Sequence, residues 1–61
     1  MDKLTFIKVK LYEHKDELSR IARLAGVSRP TVYNVLADKG ITVATMNKLF
    51  ETLKGYKPRG P

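Results

Sequence analysis

Arg29, Tyr33 and Asn34 fall within one short stretch, LAGVSRPTVYNVL (residues 24–36), and the chemistry they offer is hydrogen-bonded recognition, not bond-making. Catalysis finds no support elsewhere. Asp16 and Glu17 are adjacent where a helix cap is expected, no nucleophile has a base at a useful spacing, and no glycine-rich phosphate loop follows a strand. The chain is therefore expected not to be an enzyme. His14 stands alone and there is no cysteine, so neither a zinc cluster nor a disulfide framework is expected, and no cofactor.

Charge narrows the partner. Twelve Lys and Arg against six Asp and Glu give 61 residues a formal charge of +6. Basic side chains that neutralise the phosphates of a nucleic acid release counterions at any base sequence, so this excess favours a polyanion, with nucleic acid ahead of an acidic membrane surface. No apolar run approaches the ~20 residues needed to cross a bilayer, and the N-terminus lacks the basic-then-apolar layout of a signal peptide. A cytoplasmic protein is expected.

These side chains need a scaffold, and the chain length suits one compact domain over residues 1–56 with a basic tail at 57–61. A domain this small buries only about 60% of its unfolded surface, which favours helices joined by short connections. KLTFIKVKLYEH (residues 3–14) alternates like a strand at Ile7, Val9 and Leu11 but also sets Leu4, Ile7 and Leu11 on one helical face. A lone strand would find no partner, so a helix is expected, with Asp16 capping the next segment. From 17 to 25, Leu18, Ile21, Ala22 and Ala25 recur at helical spacing.

Gly26 then ends that helix, Ser28 caps another, and Pro30 sits in its first turn without sacrificing a hydrogen bond. Val32, Val35 and Leu36 form the inward stripe, which leaves Arg29, Pro30, Tyr33, Asn34 and Ala37 pointing away. Gly40 is expected to end this segment. Thr42 caps a last helix with Met46, Leu49, Phe50 and Leu53 inward and Ile41 as a staple on Met46; Gly55 stops it. The expected fold is all-α, a compact bundle of about four helices.

LSRIARLAGVSRPTVYNVL (residues 18–36) resembles the helix-turn-helix of bacterial and phage repressors, with small Ala22 four residues before Gly26, apolar Val27, and Val32 and Val35 beyond. ITVATMNKLFETLKGY (residues 41–56) resembles the next helix of the lambda-repressor and Cro superfamily, and the likeness covers roughly residues 4 to 56. IARLAGVSRPTVYNVL with GYKPRG is also similar to the lac-repressor headpiece. That headpiece, however, starts at its motif and connects to its last helix through a longer segment than ADKGI. The lambda and Cro-like architecture is the preferred expectation.

The resemblance implies a transcriptional regulator of a bacterium or phage-infected cell that lowers the helix beginning at Arg29 into the major groove of duplex DNA. Arg29 would pair with guanine, Asn34 with adenine, Pro30 and the Thr31 methyl would meet a thymine methyl, and Tyr33 would reach a phosphate or a base edge. Phosphate contacts are assigned to Ser19, Arg20, Arg23, Ser28, Lys39 and Thr42, with Lys57 and Arg59 of the tail as weaker candidates. Helix starts near Glu17 and Val43 offer further anion sites. Lys8, Lys10 and Lys15 are assigned to a solvated face. A homodimer on half-sites about 34 Å apart is expected, formed either in solution or only on DNA, with Phe6, Tyr12, Leu24 or Tyr56 as its apolar contacts. The competing class is a protein-binding module such as an antitoxin or anti-repressor.

Overall fold

Four helices enclose one core in the computed structural model, which describes residues 2–57. They are α1 (Lys3–Glu13), α2 (Leu18–Ala25), α3 (Arg29–Leu36) and α4 (Val43–Lys54), with a single 3-10 turn (Lys15–Glu17) leading into α2. No strand occurs among the described residues. The alternating N-terminal segment is thus a helix, as its need for a partner argued. Arg59 and most of the basic tail lie outside the described residues.

The helical periodicity converts directly into packing. Ile7 and Leu11 from α1, Leu18, Ile21, Ala22 and Ala25 from α2, Val32 and Val35 from α3, and Leu49 and Leu53 from α4 form one buried cluster. Helix α4 packs against both α1 and α2, and α3 closes the bundle against the same two helices. Phe6 and Phe50 extend the core edge to face, with ring centroids 5.4 Å apart.

Helix ends follow local chemistry except at two places. Ser28 and Thr42 are extended N-caps whose hydroxyls accept from Thr31 and Thr45 amides, at 3.3 Å and 3.1 Å. Gly26 adopts φ 74°, a left-handed turn residue, and Val27 donates to the Ala22 carbonyl at 3.0 Å. Nothing lies within 4 Å of a Cβ placed at Gly26, so its backbone conformation rather than space calls for glycine.

Asp16 does not cap α2; it lies in the 3-10 turn, which supplies the entry to that helix instead. The aspartate that does cap is Asp2, which accepts from the Thr5 amide at 2.7 Å and so starts α1. The second departure is the end of α3, which comes at Leu36 rather than Gly40. Asp38 takes the left-handed conformation at φ 62°, and its carboxylate pairs with Lys8 of α1. A tertiary ion pair thus holds a turn that glycine was expected to make.

Candidate nucleic-acid interface

The outer face of α3 is set by what its inner face buries. Val32 and Val35 are fully enclosed, and a helix that commits those two positions must turn positions 29, 30, 33, 34 and 37 outward. Arg29, Pro30, Asn34 and Ala37 are exposed, and Tyr33 keeps 49% of its surface free. Thr31 is half-buried, and its hydroxyl lies 2.7 Å from the Ser28 hydroxyl at the cap. Ser28 and Thr31 are therefore brought together as one hydrogen-bonded unit at the start of the helix.

Two hollows collect most of the remaining candidates. Arg29, Pro30 and Tyr33 line a shallow one of about 330 Å³ on α3. Ser19, Arg20 and Arg23 line another of about 480 Å³ on α2, together with Asp16, Glu17 and Leu24. Lys39 and Thr42 are exposed in the link between α3 and α4 and line neither hollow. Thr42 spends its hydroxyl on Thr45, donating to Oγ1 at 2.9 Å while accepting from the amide.

The arginines differ in how far they are committed. Arg20 is half-buried: its guanidinium reaches Glu17 at 3.5 Å, donates to the Tyr56 hydroxyl at 2.9 Å and to the Lys57 carbonyl at 3.3 Å, and lies over the Tyr56 ring. Tyr56 also donates to Glu17, and its other ring contact is His14 at the end of α1, 4.9 Å away. Burial, then the adjoining Glu17 carboxylate, push the Tyr56 phenol above its usual pKa. Arg20 thus fastens the segment after α4 onto the start of α2, and a phosphate would have to compete for it. Arg23, Arg29 and Lys39 make no ion pair, side-chain hydrogen bond or ring contact among the described residues.

Sequence reasoning missed this clasp because Tyr56 lies 36 and 39 residues from the Arg20 and Glu17 it joins, although those two are spaced three apart. It also overlooked a signal that was present. Residues 18–37 contain three arginines and no Asp or Glu, so the whole α2–turn–α3 unit is free of carboxylate. Every acidic side chain sits before it or after it.

Such an arrangement can hold an anion or hydrogen-bond a planar edge. Among the described residues no cluster of His, Cys, Asp or Glu could hold a metal, and no helix is long and apolar enough to cross a membrane. No family model matches the chain, and neither a curated protein nor a solved structure matches it.

Proposed function

We propose that this chain is a sequence-specific regulator of transcription that binds double-stranded DNA in the manner of Cro-like repressors, with α3 in the major groove. The observation that carries the reading is the carboxylate-free α2–α3 unit, whose Arg23 and Arg29 are unengaged among the described residues while Val32 and Val35 are buried. Arg29 presents a planar fork to guanine O6 and N7, Asn34 pairs with adenine, and Pro30, Thr31 and Tyr33 supply the apolar contacts between them. Ser19, Arg23, Ser28, Lys39 and Thr42 set register on the phosphates, joined by Arg20 when it exchanges Glu17 for a phosphate. The protein works as a homodimer on a pseudo-palindrome in the cytoplasm. Tyr12 and Leu24, 69% and 56% exposed, are the free apolar groups for that contact, whereas Phe6 and Tyr56 are already packed on the core.

Selection of bound sites from random duplexes, followed by titration at several salt concentrations, tests this. Arg29→Ala removes preference at one base pair and leaves nonspecific binding nearly intact. Arg23→Ala weakens every duplex and lowers the salt slope by about one unit. Duplexes recovered without enrichment, alongside a stoichiometric protein complex indifferent to DNA, would replace this reading with the protein-binding module that exposed Tyr12 and Leu24 also suit.

A further inference from the structure

The hollow on α3 combines two kinds of chemistry that a single base does not satisfy. Arg29 and Tyr33 are four residues apart and Pro30 and Tyr33 three, so all three share one strip of the helix surface. Pro30 brings ring methylenes and no backbone N–H, and Tyr33 brings a half-exposed aromatic face. At the rim, the Arg29 guanidinium is held by no carboxylate, carbonyl or ring among the described residues, and so retains its whole donor fork. An occupant that matches both parts must set two acceptor atoms beside a small apolar projection.

In the major groove that pairing is the O6 and N7 edge of guanine next to a pyrimidine carrying a 5-methyl group. Resting on the DNA-binding reading above, we infer that the Arg29–Pro30–Tyr33 hollow recognises a 5-methylpyrimidine adjacent to guanine, the cation taking the purine and the two rings taking the methyl. Thymine carries this methyl naturally, and 5-methylcytosine presents it at the same place. The site thus measures a methyl group as well as a base pair. Withdrawal of that methyl from water sets the size of the effect at about fourfold in affinity.

The test uses the full chain and the duplex enriched by selection. Arg29→Ala first locates the guanine that depends on that arginine. Thymines are then replaced one at a time by deoxyuridine, which removes only the methyl, and cytosines by 5-methylcytosine, which adds it. Loss of the methyl beside the Arg29-dependent guanine is expected to weaken binding about fourfold, and gain of one at that place to strengthen it equally. In Tyr33→Ala the methyl effect is expected to fall towards unity while preference for the guanine persists. Pro30→Ala provides a second, smaller reduction, and the helical circular dichroism of both variants confirms that they fold.

Enrichment of a site with no methyl effect beside that guanine overturns the inference and spares the DNA-binding reading. So does a methyl effect that survives undiminished in both variants. A carboxylate of a protein partner in the hollow would appear as duplexes carried through selection without enrichment, which overturns the inference and the reading together.

Discussion

Helices α1 and α4 use lysine as their only cation, and helices α2 and α3 use arginine as theirs. The lysines are largely spent inside the molecule. Lys3 bonds Asn47 at 3.0 Å and lies over the Phe50 ring, Lys8 pairs with Asp38, Lys10 with Glu13 and Lys54 with Glu51. Lys10 and Lys54 also lie over Phe6 and Phe50, where long flexible stems shield the edge of the core. Arg23 and Arg29 on the other pair have no such duties, and they carry the rigid fork suited to two-point recognition. Lys48 and Arg20 cross the division, the first exposed and without a partner among the described residues, the second tied to Glu17 and Tyr56. One helix pair therefore engages most of its cations within the fold, while the other leaves Arg23 and Arg29 without a partner among the described residues.

The largest effect separates holding from reading. Leu49→Ala on α4 empties a fully buried site and is expected to cost about 2–5 kcal/mol, a large share of the roughly 5–15 kcal/mol that stabilises a natural domain. Asn34→Ala on the exposed face of α3 is expected to cost under about 0.5 kcal/mol. Urea unfolding of the two variants checks the contrast. Equal losses would mean that the outer face of α3 supports the core, and the division between the pairs would fail.

A change of cation type probes the same division at intermediate size. Arg29→Lys keeps the charge but removes the fork, so preference for guanine over other bases is expected to drop by about 1–3 kcal/mol with stability unchanged. The mirror change, Lys54→Arg, is expected to alter neither stability nor binding measurably, because its partner Glu51 is an exposed ion pair one turn away. Competition titrations with duplexes differing at one base pair measure both. An Arg29→Lys chain with full discrimination would show that α3 needs only a positive charge.

Much of this organisation is visible in the sequence, and its gaps have a common cause. Leu18, Ile21, Ala22 and Ala25 announce α2 by spacing, and Gly26, Ser28 and Thr42 mark boundaries because caps and left-handed turns are decided by neighbours within three or four residues. The outward position of Arg29, Tyr33 and Asn34 follows from the same periodicity. What local pattern cannot supply is a partner thirty residues away. Asp38 replaces Gly40 as the left-handed residue after α3 while Lys8 holds its side chain, and Arg20 turns inward for Tyr56. Asp16 misled because any aspartate before an amphipathic run resembles a cap; here a 3-10 turn intervenes.

The smallest effect concerns Arg20, the arginine that sides with the scaffold. Its clasp depends on a neutral Tyr56 phenol that donates to Glu17, and burial and that carboxylate hold the phenol's pKa above its ordinary value. Because the folded pKa is the higher one, the clasp contributes its full stability below the ordinary tyrosine range. Between that range and the folded value the unfolded chain ionises first and gains, so the contribution shrinks as pH rises and is gone above the folded value. Denaturation midpoints of the natural chain and of Tyr56→Phe, compared across alkaline pH, isolate this term, since every other titrating group is common to both. The expected difference is constant near neutrality and declines through the alkaline range. Glu17→Gln removes the repelling carboxylate, lowers the folded value, and is expected to end that decline at lower pH. A difference that stays constant throughout would place the phenol outside the clasp, leaving Arg20 held by Glu17 and the Lys57 carbonyl alone.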